Sequence, residues 1–580
     1  MGAGKPTGAR WALNGIVLVA LLLTGCGIGR PVTMGPETDP AAVPPTQARP
    51  LVMFTGKEPA SVATRALLES GISLRSTQRM FNALPALLDA QGLPRPELLV
   101  SLPALHTDSW QVFPDGTMRT TYTLRSNLTW HDGQPLTSED FVFSWRLYTS
   151  PELGRASQPP LHAISDVAAI DREHFVIHWK LPYADADTLS KYGIELPALP
   201  RHILGPVFDQ MTTSGADAVA NHPFWGPEYV GLGPFRIQEW AAGSFVDAVR
   251  FDGYALGAPK IARIQLRFSV DQNTVVASLL AGEAQAAGEG ALPDVPEALT
   301  ERWTRSNTGF VLQFPRSLRY TEFQHRPEVA TPRAILDPRV RKAVAHAVDK
   351  QAMSDAVYGG QAIFADTPVW SGSAWGDALD DSILTYPLDL RATESLMNQA
   401  GYSKGSDGFY RGADGRISLE VATVTSPASV TELIVLADSL RAAGLDVQQR
   451  VVPAAQAQDN QVRATHPTMF TSTTNSGEPA VGNLASAQIP SAATRWLGGN
   501  RGGWSSSDYD RLLGAFNTTL DRGDRVRLMR QMLRLYSEEL PSISLFFRGS
   551  AFAFVNEIKG PARAAPESNP AWNIYEWEFY

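Results

Sequence analysis

Residues 109–144 read SWQVFPDGTMRTTYTLRSNLTWHDGQPLTSEDFVFS, and the organisation of the chain can be worked outward from them. Pro114-Asp115-Gly116 is a turn, because proline presets one backbone angle and glycine accepts a positive φ. Thr121-Tyr122-Thr123-Leu124-Arg125 alternates as a half-buried strand does. His131-Asp132-Gly133 is a second turn with an Asp-Gly hairpin signal. Thr137-Ser138-Glu139-Asp140 reads as a capping box just before Phe141, Val142 and Trp145, so a helix starts there. The stretch is strand, turn, helix start.

The same grammar continues on the C-terminal side. Phe175-Val176-Ile177-His178-Trp179 is strand-like, Gly231-Leu232-Gly233-Pro234 is a turn leading into Phe235-Arg236-Ile237, and Ile261 to Phe268 alternates. A helix starts at Val275–Leu280 and ends near Gly282. Asp337-Pro338 opens the clearest helix: aspartate caps well and proline suits the first helical position. Val340, Ala343, Val344, Ala347 and Val348 then lie on one apolar face. Thr431 to Ala443 is a helix ending at Gly444, followed by a strand over Leu445–Val452. Asp524 to Leu540 is another helix, stopped by Pro541, after which Ile543, Leu545 and Phe547 alternate. Intermixed strands and helices predict an α/β or α+β multidomain body.

The chain has 580 residues, enough for three or four folding units and large cores without crosslinks. Its formal charge is −9, and it carries no basic block, which argues against nucleic-acid binding. The one cysteine, Cys26, excludes an intramolecular disulfide. Lys5 and Arg10 precede an apolar run from Trp11 to Leu23, and Leu23-Thr24-Gly25-Cys26 follows. A basic start, a short apolar stretch and small residues before a cut site describe a secretory signal. The run is short for a membrane span. The segment after Cys26 is rich in Gly and Pro and reads as a tether.

Motifs for catalysis are missing. Gly2-Ala3-Gly4-Lys5 lacks a preceding strand and the spacing of a phosphate loop, and Gly231-Leu232-Gly233 lacks the third glycine of a dinucleotide fingerprint. No G-x-S-x-G, H-E-x-x-H or clustered Cys/His set occurs. His131 and Asp132 are better explained as turn residues than as metal ligands. Neither catalytic residues, a metal nor a cofactor is expected.

Taken in order, several segments resemble the family 5 extracellular solute-binding proteins of bacterial ABC importers, whose members bind oligopeptides and dipeptides. They are Trp110 to Gly116, Tyr122 to Arg125, Trp130 to Gly133, Pro135 to Ser144, Gly231 to Phe235, Asp337 to Ala343, Ala347 to Lys350, Ala400 to Tyr402, Leu440 to Val447, Tyr509 to Leu513 and Glu538 to Pro541. The match covers nearly everything after residue 60. The resemblance implies a two-lobed periplasmic-binding-protein-like α/β fold, type II in its large form with an extra subdomain, with hinged lobes around a ligand cleft. The expected layout is a lipoprotein signal peptide at 1–25, a lipid-attached tether at 26–50, lobe I with its extra subdomain at 51–270, lobe II at 271–494, and a return to lobe I at 495–580. Leu23-Thr24-Gly25-Cys26 resembles the bacterial lipobox, so Cys26 is the expected lipidation site and the protein would sit outside the cytoplasm on the cell membrane.

The implied function is capture of a peptide or similar polar solute by lobe closure, and delivery to a membrane permease with separate ATPase subunits. A monomer is expected. The alternatives are an oligosaccharide binder of the same fold, or a sensor or chaperone-like protein. In peptide-binding relatives an aspartate after a tryptophan in the second lobe pairs with the peptide's α-ammonium. The matching stretch here, Thr468 to Pro479, has neither. Glu478 could substitute, since a carboxylate holds an ammonium. Thr474, Asn475 and Ser476 form a hydroxyl- and amide-rich patch that suits sugars equally. Arg463, just upstream, is a candidate for a carboxylate. The expected ligand contacts are therefore Arg463, Asn475, Ser476 and Glu478.

Overall fold

Two long strands, Gly309–Phe323 and Ser542–Val555, pair antiparallel and carry the architecture. They belong to the computed structural model, which describes residues 49–67, 74–153, 160–191, 195–211, 216–293, 295–413, 415–457, 459–494 and 496–580. Cys26, the 1–25 segment and the 26–50 tether up to Ala48 lie outside the described residues. The long strands sit in the middle of one mixed sheet. Its order is Asp446–Val452, Ser418–Val424, Met469–Asn475, Gly309–Phe323, Ser542–Val555, Ala286–Ala287, Leu51–Thr55, Arg263–Phe268, Phe245–Arg250, Phe235–Ala241.

Each long strand serves two halves of this sheet. Gly309–Phe314 lies against Ser550–Val555, and Ala286 and Ala287 extend that end. Ser317–Phe323 pairs on its other edge with Met469–Asn475. Between the two stretches the register shifts at Pro315/Ser317, where Gly549 is the partner of Pro315. Proline has no N–H for the ladder and glycine no side chain to pack, so the sheet is interrupted there and bends.

The cores follow the same division. Leu51, Met53, Phe235, Leu266, Phe314, Phe552, Phe554 and Trp577 are buried together on one side. Val52, Phe54, Val275, Leu299, Trp303, Ala551 and Ala553 form the other face of that end. The helices Gln272–Leu280 and Glu297–Ser306 thus pack with the strand Leu51–Thr55, although the sequence reading places them after the first lobe crossing. Beyond the bend, Val340, Val344, Met353, Leu419, Leu433, Leu436, Met469 and Leu545 share a core. The helices Ser507–Thr518 and Arg522–Glu539 join this second half, because Tyr509, Phe516, Met529 and Leu533 are buried with Val369, Trp375 and Val481. The chain changes core within the two long strands, near 315 and 549.

The quoted stretch builds a separate unit in the first half. Trp110–Val112, Met118–Thr123, His174–Trp179 and Ile164–Ala169 form a four-stranded antiparallel sheet under the helix Ser138–Thr149. Asp140 reaches back to the Thr137 N–H at 2.9 Å, as the capping box requires. Phe175 stacks between Tyr122 and Phe141, at centroid distances of 4.7 and 4.4 Å. His131 explains why two distant turns go together. Its Nδ1 accepts the Gly231 N–H at 3.1 Å and its Nε2 lies 3.0 Å from the Gly233 carbonyl. Gly231 itself must be glycine, since a Cβ there would come within 2.0 Å of the Phe81 carbonyl oxygen.

Candidate functional site

The site lies where the two halves meet. The segment after the strand His174–Trp179 is pinned by Ala186 and Leu189, both in the core of the four-stranded unit, and it presents Asp185, Asp187 and Lys191. From the second half, the strand Met469–Asn475 runs out into Ser476 and Gly477. Gly477 takes a φ of 75°, which turns the chain into the short helix Glu478–Gly482. Helix Arg522–Glu539 brings in Arg525, whose guanidinium lies 4.2 Å from the centroid of the Phe516 ring.

Four of these charges form a closed quartet. Lys191 Nζ is 2.5 Å from Asp185 Oδ1 and 3.3 Å from Glu478 Oε1. Arg525 Nη2 is 3.4 Å from that same Glu478 oxygen, and its Nη1 is 3.7 Å from the same Asp185 oxygen. Signs alternate around the quartet, and each half contributes one acid and one base. The side chains are 9–28% exposed. A pair at such distances gains roughly 4 kcal/mol at an effective dielectric of about 20. Partial desolvation of four charged groups offsets much of it.

Two further carboxyls border the quartet. Burial, reinforced by Asp185, pushes Asp187 up to about 6. Burial also raises Glu567, with Glu478 adding to the rise, and a Cβ on Gly477 would lie 3.0 Å from Glu567 Oε1. Burial works against the Lys191 ammonium, but the carboxylates of Asp185 and Glu478 outweigh it and raise its pKa. Next to Lys191 and Glu567, within the first half, is a cavity of about 80 Å³, lined among others by Arg79, Asn82, Glu97, Ser190, Glu567 and Asn569. Its walls are preorganised: Arg79 lies 2.9 Å from Glu97, and Tyr254 OH bonds both at 2.6 Å. Polar groups fixed in this way can take a ligand's hydrogen bonds with little reordering.

The residues expected to bind ligand are distributed as follows. Glu478 is at the junction, but held by Lys191 and Arg525. Ser476 is buried next to it, and its hydroxyl donates to the Arg316 carbonyl at 3.3 Å, close to the bend in the long strand. Asn475 is exposed at the end of its strand, opposite Ser317. Arg463, on the helix Asn460–Ala464, donates to Ser472 Oγ at 2.9 Å. It belongs to another buried cluster, with Tyr320, Glu322 and Arg501; burial, against the pull of Arg501 and Arg463, pushes Glu322 up to about 7. Burial and the neighbouring Arg501 lower the Arg463 pKa. Asp185, Lys191, Arg525 and Glu567 were not foreseen. Their meeting depends on tertiary contacts across 287 and 340 positions, and no local motif marks them. Among the described residues no three His, Cys, Asp or Glu are grouped to hold a metal, and no helix is long and apolar enough to cross a membrane.

Comparison with known proteins places the fold. The chain resembles NikA from Brucella suis, solved with Fe(III)-EDTA, at 18% identity and a TM-score of 0.71, covering 92% of this chain and 100% of that one. An oligopeptide-binding protein from Thermus thermophilus, solved with a pentapeptide, matches at 20% identity and a TM-score of 0.62, over 91% of this chain and 96% of that one. These likenesses show the two-lobed α/β fold. In sequence, a Brucella ovis protein named as an ABC transporter peptide-binding protein is 26% identical over 300 residues, 51% of each chain. The oligopeptide-binding protein AppA of Bacillus subtilis is 22% identical over 342 residues, 58% of this chain and 59% of that one. The chain thus spans little more than half the length of the curated relatives it matches. The family model of the bacterial extracellular solute-binding proteins, family 5, middle region, matches residues 102–491. With two-thirds of its length under that model and the two-lobed fold around it, the chain belongs to the bacterial extracellular solute-binding proteins of family 5.

Proposed function

We propose that the protein is the extracytoplasmic solute-binding component of an ABC importer, and that it captures peptides between its two lobes and passes them to a membrane permease. The observation that carries this reading is the charge quartet at the junction of two halves that share one pair of long strands. A ligand held between the halves touches both and favours the closed arrangement by its differential contacts. The names of the relatives, peptide-binding and oligopeptide-binding, support the ligand class. No bond-making step is assigned: the protein binds and releases, and the ATPase is a separate chain.

In this reading lobe I comprises residues 51 to about 314 and about 549 to 580, and lobe II the residues between. The crossings lie in the long strands, and the expected edges at 271 and 495 move accordingly. Residues 1–25 are a signal peptide, and Cys26 carries lipid that anchors a monomeric body through the 26–50 tether. Asn475, Ser476 and Glu478 are cleft residues in this reading, and Arg463, bonded to Ser472, is a fourth candidate that would take a ligand's carboxylate.

The test is mass spectrometry of small molecules released by denaturing the gently purified protein, followed by thermal shift with what is found. Co-purifying peptides that raise the melting temperature are the expected result. Oligosaccharides in their place would sink the peptide reading and leave the importer class standing.

A further inference from the structure

We infer that the Asp185–Lys191–Glu478–Arg525 quartet is a reversible ion-pair latch that holds the two lobes together before any solute has bound. Two of its four contacts are within a lobe: Lys191 to Asp185 at 2.5 Å in the first, and Arg525 to Glu478 at 3.4 Å in the second. The other two cross the junction: Lys191 to Glu478 at 3.3 Å, and Arg525 to Asp185 at 3.7 Å.

This arrangement has a definite consequence. When the lobes part, Lys191 keeps Asp185 and Arg525 keeps Glu478, so opening leaves no charge without a counter-charge. An orphaned charge at a junction would make separation costly. Here only the two crossing contacts are given up, and water replaces them. The anchors are rigid on both sides. Ala186 and Leu189 are 0% and 1% exposed, and Arg525 is held over the rings of Phe516 and Trp375 at 4.2 and 5.1 Å. The crossing contacts are therefore carried on backbone that is fixed within each lobe. The latch occupies Glu478 Oε1, so a solute's ammonium competes there with Lys191 and Arg525.

The inference rests on the hinged closure proposed above, and the experiment separates the two. The intralobe swap D185K/K191D keeps one acid and one base in the first lobe but sets like charges against Glu478 and Arg525. Small-angle scattering on the full-length protein should show a larger radius of gyration for the swap, with an unchanged far-UV circular dichroism spectrum. Adding the matching swap E478R/R525E restores alternation and should return the wild-type radius. In wild type alone, raising NaCl to about 1 M, where the screening length falls to about 3 Å, should also expand the molecule. A radius unaffected by both the swap and salt overturns the latch. If the swap unfolds the chain, the salt titration of wild type decides alone. A casein tryptic digest that still compacts salt-treated wild type supports the hinge; if digest, salt and swap all leave the radius unchanged, hinge and latch fall together.

Discussion

His131 shows at the scale of one residue how a turn motif becomes a structural tie. It is buried and bonds both Gly231 and Gly233, and burial pulls its pKa down to about 4. Its imidazole therefore stays neutral in the fold and gains a proton on unfolding between its ordinary value of 6.5 and about 4. In that window the unfolded chain binds more protons, so this contribution to stability is lost as pH falls. His325 and His466, pulled down to about 3 by burial, act in the same sense to lower pH. Glu322 and Asp187, raised to about 7 and about 6, act oppositely, so wild type alone does not isolate the histidine. Comparison with H131Q does. Losing two bonds that join the turns should cost about 1–3 kcal/mol at pH 7. The gap between wild type and variant should narrow by up to about 1.4 kcal/mol per pH unit below 6.5 and close before pH 4. Urea melts across that range would measure it, and a pH-independent gap would refute the assignment. Arg319 and Glu432 are a second residue-scale case: both are 3% exposed, with Nε 2.7 Å from Oε2 and Tyr358 OH bonding the other oxygen at 2.8 Å. R319M strands a buried carboxylate and should cost about 3–5 kcal/mol, whereas R319M/E432L should recover most of that loss in the same melts.

Elements are where the sequence was most legible. Asp337 accepts from the Arg339 N–H at 2.8 Å and Pro338 is the first helical residue, so the helix Pro338–His346 starts where its capping chemistry says. It ends sooner than its apolar periodicity, because Ala347 and Val348 belong to a link before Asp349 caps the next helix. The Thr121–Arg125 alternation was displaced in the structure to Met118–Thr123, since strand ends are set by pairing with His174–Trp179 and not by propensity. The fifteen-residue strand Gly309–Phe323 was not foreseen at all. It serves two cores in turn, so no single alternation runs its length, and Pro315 reads as a break. The candidate site is less legible: the stretch 468–479 singles out Ser476 and Glu478 as substitutes, while the partners of Glu478 depend on contacts that no local pattern encodes. The Gly231 turn gives the element-scale prediction. An alanine Cβ would press on the Phe81 backbone, at the end of the helix Arg75–Phe81, where neither side can yield by rotating a side chain. G231A should destabilise by about 1–3 kcal/mol. G116A, whose turn has open space around the new Cβ, should lose only the smaller cost of its positive φ of 84°. A loss in G231A no larger than that in G116A would mean that the Phe81 backbone gives way and that the close approach does not set the requirement at Gly231.

At the scale of the molecule, the two halves meet through the charge quartet, and on the proposed reading a solute adds its own contacts to both. Each half has its own cores, and the register shift at Pro315/Ser317 divides the sheet they share. Binding that touches both halves adds stability by mass action, about 2.7 kcal/mol when free ligand is at 100 times its Kd. In a chain of this size a kcal/mol moves the melting temperature by about 2 °C or less, so saturation should raise it by no more than about 6 °C. The magnitude alone does not distinguish a solute between the lobes from one bound to a single surface, but the place of protection does. Closure should slow backbone hydrogen exchange at once in the 182–191 segment of the first half and in Gly477–Val481 of the second. A casein tryptic digest added to the full-length protein, with exchange read by mass spectrometry, makes the comparison. Protection rising in both segments with the same concentration dependence is the expected result, because one event protects both. Protection confined to one of them would mean that the ligand sits on a single lobe, and bilateral capture would have to be abandoned.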